Sequence, residues 1–222
     1  MTRATFNPSS FMESDDTPGP HYQAKYANLF KPGDTVLDVG CGRGRFLEFL
    51  REIGVHGVGV DSFGPAVEAC RQRGLDVHLG DIFEFLETTD RLFDGVVCSH
   101  IIEHCQPPQA MRVFAHAFDR LRPDGRLIVI TPNFRNIDVL SESFWLDTTH
   151  VRPYPMDLLQ KLLEHAGFTN VRCSLDPDTG RRPPPLSRPR KFLHFYISKL
   201  RFGEFFGGGD AVVIGRRPAN AR

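Results

Sequence analysis

Apolar and polar positions alternate along this chain in two rhythms, and the switch between them marks the elements. Four short runs that are nearly all apolar, TVLDVG, VHGVGVD, LDVHLGD and FDGVVCS, read as strands buried on both faces. Between them the apolar positions take helical spacing, with Phe46, Leu47, Phe49, Leu50 and Ile53 on one side of RGRFLEFLREI. GPAVEACRQRG, IFEFLETT and QAMRVFAHAFDRL supply the next three helices. After a turn at RPDG come a fifth strand, GRLIVITP, and an amphipathic helix, PMDLLQKLLEHAG, closed by a glycine. FTNVRCSL and DAVVIGR are the last two strands, and a short helical stretch, HYQAKYANLF, stands ahead of the first.

Apolar strands separated by helices predict a parallel sheet covered on both faces, because each right-handed crossover lays a helix against the sheet. The expected fold class is α/β, with a doubly wound sheet. In such folds ligands sit beyond the carboxyl ends of the strands, so the residues just after each strand are where chemistry is sought.

Composition narrows the picture. A chain of 222 residues, 41% hydrophobic, suits one ordinary domain over 21–222, with 1–20 as a flexible N-terminal arm rich in Pro, Ser and acid. Twenty-seven Lys and Arg balance 27 Asp and Glu, so no whole-protein field gathers a polyanion, and nucleic acid is not expected as a partner. Five scattered cysteines without a CxxC pair favour a reducing compartment. No signal segment or long apolar run stands out, and a cytoplasmic protein is expected.

The strand ends carry a pattern of glycines and acids. Gly40, Gly42 and Gly44 follow the first strand, where they permit a sharp turn and close ligand approach. Their GxGxG spacing departs from the GxGxxG of dinucleotide sites, and no phosphate-loop lysine follows. Asp38 beside them would repel a pyrophosphate, which points to a ligand with positive charge. Asp61 ends the second strand, where a carboxylate accepts two hydrogen bonds from a ribose diol; Asp81 follows the third, where an acid can take an adenine amine. Together they describe a nucleoside with a cationic or zwitterionic tail.

VLDVGCGRGRF, VGVDSF, GDIFEF, FDGVVCSHIIEH and LRPDGRLIVITPN, in that order over residues 22 to 175, resemble the successive motifs of class I S-adenosylmethionine-dependent methyltransferases. The resemblance implies a Rossmann-like, seven-stranded sheet, mostly parallel, with an antiparallel last strand inserted beside the fifth. It implies S-adenosyl-L-methionine as cofactor, with Gly40, Cys41 and Gly42 along the methionine part and Asp38 ordering that turn. Asp61 would bind the ribose hydroxyls, Ser62 and Phe63 would flank the adenine, and Asp81 with Ile82 would hold its edge. Ser99 faces the methionine end, and Tyr22 or Tyr26 closes over the carboxylate.

SHIIEHC also matches the HxxEH of inverted zinc proteases, a reading that needs a long helix where this sequence ends a strand at Ser99 and places Pro107 and Pro108 soon after. In a methyltransferase the segment lies beside the reactive methyl, and the enzyme's tasks are alignment and removal of a proton from the acceptor. His104 is expected as general base or acceptor-positioning group, and His150, in DTTHVRPY, is the second choice; no metal is assigned. An alternative comes from ubiquinone-biosynthesis O-methyltransferases and small-RNA 2′-hydroxyl methyltransferases, in which an ExxEH segment binds a divalent metal. Glu103, His104 and His150 would be its ligands here, while His100 stands in place of the first glutamate; so nitrogen-rich a set favours a transition metal. Phe134, Phe144, Trp145 and Tyr154 offer apolar walls for an acceptor, and Arg135 and Arg152 would meet an anionic group on it.

Between Arg181 and Arg201 the chain holds seven Arg and Lys and no acid, with aromatics interleaved. This forms the core of a basic, aromatic insertion over 176–209, in which KFLHFYISKLRF can form a helix with apolar and basic sides. Such a helix can rest on an anionic membrane through 181–206, bind RNA, or simply pack on the domain. The function expected is methyl transfer, most often to oxygen, on a small-molecule, glycan or lipid-linked acceptor. The alternatives are a small-RNA or other nucleic-acid methyltransferase, and a methyltransferase-like binding protein without turnover.

Overall fold

The computed structural model describes residues 23–179, 186–203 and 208–221. The expected arm over 1–20, Tyr22 and the three prolines at 183–185 lie outside the described residues. A one-turn helix α1 (Ala24–Ala27) precedes β1 (Thr35–Val39), α2 (Arg45–Glu52), β2 (His56–Asp61), α3 (Gly64–Gln72), β3 (Asp76–Leu79) and α4 (Ile82–Thr88). Then follow β4 (Phe93–Ser99), α5 (Pro107–Arg120), β5 (Leu121–Thr131), the short α6 (Phe144–Leu146), α7 (Met156–His165), β6 (Thr169–Leu175), α8 (Pro189–Phe202) and β7 (Ala211–Arg216).

The strands form one sheet in the order β3-β2-β1-β4-β5-β7-β6. Pairs from β3 to β5 are parallel, and β7 enters antiparallel between β5 and β6. The chain runs outward from β1 on one side and from β4 on the other, so the winding reverses between β1 and β4. A crevice opens at such a reversal, because the two flanking helices leave in opposite directions.

Side-chain alternation divides the core between the two faces. Leu37 and Val39 of β1 and Leu127 and Val129 of β5 join Phe114 and Leu163 on one side; Val36, Ile128 and Ile130 join Phe46 and Leu50 on the other. By the same period of two, Asp38 belongs to the face of Val36, and it is almost wholly buried there. Helix α1 is tied down by Tyr26, whose hydroxyl donates to the buried Asp176 at 2.6 Å, and by Lys25, which pairs with the same carboxylate.

Two features differ from the pattern-based expectation. The turn expected at RPDG lies inside β5: Asp124 takes a φ of +64° and the pairing register with β4 shifts between Phe93 and Gly95. The amide of Asp124 donates to Arg217 O and that of Arg217 to Gly125 O, so chain beyond β7 satisfies the backbone that a free turn would leave to water. HYQAKYANLF keeps only a single helical turn, because Phe30 leaves the helix to fill the space beside Gly95.

A Cβ at Gly95 would lie 2.1 Å from Phe30 Cε1. Gly95→Ala is therefore expected to lower stability by about 1–3 kcal/mol. In urea titration the midpoint should fall with the slope unchanged.

Candidate active site

A cavity of about 590 Å³ opens at the carboxyl ends of the strands. Its floor is the turn after β1. Gly40 and Cys41 donate to Val60 O, and Gly40 holds a φ of +72° with Ile101 so close that a Cβ would meet its Cδ1 at 2.0 Å. Gly42, at φ +49°, has nothing within 4 Å of where its Cβ would stand. Only glycine keeps both the backbone shape and the open space next to it.

Asp61 clamps this turn to the next one. Its Oδ2 accepts from Gly42 N and its Oδ1 from Phe63 N, both at 2.8 Å. Asp81 caps α4, its Oδ1 accepting from Phe83 N at 2.8 Å and Glu84 N at 3.1 Å. Both acids, with Gly40, Gly42, Ser62 and Ile82, line the cavity. Phe63, Phe83 and Ile101 add apolar walls.

Asp38, Cys41, Ser99 and His150 do not line it. Asp38 sits behind the turn, where burial first, and then the neighbouring Asp61, push its carboxyl up to about 7. Cys41 turns its thiol into the helix-covered face beside Gly59, and burial raises that thiol far above its ordinary range. The Ser99 hydroxyl accepts from Gln23 Nε2 at 3.3 Å, which ties the N-terminal segment to the end of β4.

On the other side the wall is the turn after β4, a single 3-10 turn over Ile102–His104. With so short a helix, His100 and His104 do not share a helical face, and the protease geometry is absent. His104 lines the cavity, and its Nδ1 lies 2.9 Å from Thr149 Oγ1, which donates to Asp147 Oδ1 at 2.6 Å. A hydroxyl that gives its proton to Asp147 must accept from His104, so the imidazole carries a proton on Nδ1 and its Nε2 stays outside this chain of bonds. Burial alone would raise the Asp147 carboxyl, but the hydroxyl and amide of Thr149 and the rings of His150 and His104 hold it below its ordinary value. His150 stacks on Phe144 and donates Nδ1–H to Phe144 O at 2.7 Å, its ring centre 4.7 Å from that of His104.

Behind His104 lies Glu103, with no exposed surface. Its Oε1 meets His100 Nδ1 at 3.1 Å and its Oε2 accepts from Thr131 Oγ1 at 3.0 Å, while its backbone oxygen accepts from Val151 N and Arg152 N. His100 reaches Asp210 with its other nitrogen at 3.4 Å. Burial works against its charge, but hydrogen bonds to Asp210 and Glu103 prevail and raise its pKa well above the ordinary value. One ligand atom from each of Glu103, His104 and His150 can be drawn within 4.8 Å of the others.

The pairing of Asp147 and Thr149 with His104, and of Asp210 with His100, escaped the sequence reading. DTTH lies next to His150 in sequence, yet nothing in the spacing shows that it folds back 45 residues to His104. The four aromatics expected as acceptor walls do not line the cavity. Tyr154 is wholly buried with its hydroxyl on Cys105 O, Phe144 is core, and Trp145 is 59% exposed. Arg135 pairs with Asp157, and Arg152 lies over the Tyr154 ring.

Residues 19–172 match the family described as "Methyltransferase domain". The chain is 34% identical over 108 residues to a ubiquinone biosynthesis O-methyltransferase of Xylella fastidiosa, a match covering 46% of this chain and 43% of that one. It is also 34% identical over 100 residues to a probable tRNA methyltransferase 9B of Mus musculus, covering 45% of this chain and 22% of that one. The chain thus spans less than half the length of these relatives. A SAM-dependent methyltransferase from Archaeoglobus fulgidus superimposes with a TM-score of 0.72 at 26% identity, over 86% of this chain and 90% of that one. With the sheet order, the glycine turn and the family match in agreement, the chain belongs to the methyltransferase domain family, in its class I, S-adenosylmethionine-dependent branch.

Proposed function

We propose that this chain transfers a methyl group from S-adenosylmethionine to an oxygen of a small-molecule, glycan or lipid-linked acceptor, with His104 as the base. One observation carries the reading: the cavity bounded by the glycine turn, Asp61 and Asp81 ends on a histidine whose tautomer is locked by Thr149 and Asp147. The cavity's size is in the range of small-molecule sites.

The residues present fit the cofactor. Gly42 leaves open the space a side chain would fill, and Asp38, buried with the carboxylate of Asp61 as its charged neighbour, gains from a positive group placed near it. Asp61 would hold the ribose, since each of its oxygens keeps a second lone pair beyond its backbone bond, and Asp81 with Ile82 would hold the adenine. Ser62 would flank the ring, and the Gly40–Cys41–Gly42 turn with Ser99 would face the methionine end. When bound, the cofactor supplies a methyl on a sulfonium, whose departure leaves a neutral thioether. His104 Nε2 takes the acceptor's proton as the new bond forms, and the Thr149–Asp147 pair stabilises the imidazolium that results. His150, stacked on Phe144, fixes the loop that presents Thr149.

A metal-assisted variant is favoured by the convergence of Glu103, His104 and His150. Both imidazoles face protein oxygens with Nδ1, an arrangement that orients Nε2 for ligation, although His150 Nε2 also lies 3.7 Å from Asp147 Oδ2. Against it, both oxygens of Glu103 are already engaged, and His100 stands where a further carboxylate would sit. Activity that survives chelation belongs to the base reading. Activity lost to a chelator and restored by zinc or manganese belongs to the metal.

Calorimetry with S-adenosylmethionine and a screen of labelled-methyl transfer into metabolite fractions and into RNA test the whole assignment. Absence of donor binding overturns it, and label in RNA alone overturns the acceptor class. His104→Ala is expected to lower kcat by about 10²–10⁴ with donor affinity unchanged, and Thr149→Val by less, since it frees the tautomer without removing the ring. Asp38, with its folded pKa raised to about 7, contributes stability that is fully present below about 4 and lost as pH rises through 7. The unliganded Asp38→Asn variant should show a flatter dependence of Tm on pH across that window. Donor binding near pH 6 should release a proton, read as a heat that varies with buffer.

A further inference from the structure

Helix α8 is apolar on two opposite sides. Phe195 and Ser198 are buried against the domain, while Leu193, Tyr196, Ile197 and Leu200 are 60%, 42%, 53% and 86% exposed. At 3.6 residues per turn these four fall within an arc of about 100°, opposite the buried pair. Arg190, His194 and Arg201 follow one flank of the ridge and Lys199 the other, all exposed, and residues 186–203 contain no acid. A ridge of this kind is a solubility liability unless something covers it.

We propose that the outward face of α8 docks the protein on an anionic lipid bilayer. Nucleic acid would engage the cations but leave Leu193 and Leu200, the foremost side chains, against phosphate. An anionic bilayer satisfies both kinds of residue: the ridge enters the boundary between headgroups and acyl chains, and the flanking cations stay at the phosphates with their stems along the ridge. Fourteen residues rise only about 21 Å, and among the described residues no helix is long and apolar enough to cross a membrane, so α8 lies in the membrane plane. Just before β7, Asp210 pairs with His100 of the cavity wall and Gly208 O accepts from Asn136 Nδ2 at 2.9 Å.

Flotation of the full chain with phosphatidylcholine vesicles, with and without phosphatidylglycerol, tests this independently of donor binding. The chain is expected to float only with the anionic vesicles and to be released by salt. L193S/I197S/L200S, whose side chains are exposed, should keep its Tm and lose vesicle affinity by at least about tenfold. R190Q/K199Q should lose about thirtyfold, since each of the two cations near the surface is worth roughly 1 kcal/mol. No flotation of the unmodified chain, or equal flotation of the serine variant, overturns the proposal. So does a dimer in sedimentation that the serine variant abolishes, because the ridge would then serve a second copy.

Discussion

A carboxylate with no exposed surface must be met by donors on every side, and Glu103 gathers them from distant parts of the chain. Thr131 comes from the end of β5, His100 from the end of β4, and Asp210, beyond His100, from the start of β7. Its backbone oxygen draws in Val151 and Arg152, and with them the loop that carries Asp147, Thr149 and His150. Leaving such a group unpaired costs far more than pairing it returns, so the whole acceptor side of the cavity is held to one arrangement. His100 shows the strain of that arrangement in its φ of +55°, which a residue with a side chain seldom adopts.

The donor side relies on acids with double duties. Asp61 stitches the turns after β1 and β2 together, and Asp81 caps α4, so each would be needed for the fold even if no ligand were bound. The same bonds hold the carboxylates rigid at the cavity wall. Asp38 is the counterpart: buried on the face of Val36, its carboxyl is pushed up to about 7 by burial and by the neighbouring Asp61.

The region after β5 and the insertion before β7 have a different character. The core under them is built from β1, β4 and β5, with Phe114, Leu127 and Val129 fully buried, whereas Trp145, Leu146, Leu193 and Leu200 lie on the surface. Stability is concentrated in the sheet. Polar contacts such as Asn136 to Gly208, and Tyr26 and Lys25 to Asp176, tie the surrounding segments and α1 to it.

Periodicity alone determined the strands and most helices of this protein, because fully buried parallel strands and amphipathic helices cannot be built from other patterns. It likewise located the glycine turn after β1, Asp61 at the end of β2 and Asp81 just after β3. Only the tertiary structure decided that RPDG is a kink within β5, since its backbone partner is Arg217, just past β7. It removed Phe144 and Tyr154 from the acceptor wall and put them in the core, where an aromatic's fate depends on which surface it meets. It joined Thr149 and Asp147 to His104 and Asp210 to His100, contacts that span 45 and 110 residues. Side-chain type and spacing carry no record of such pairings; they arise when the sheet brings its strand ends to one place.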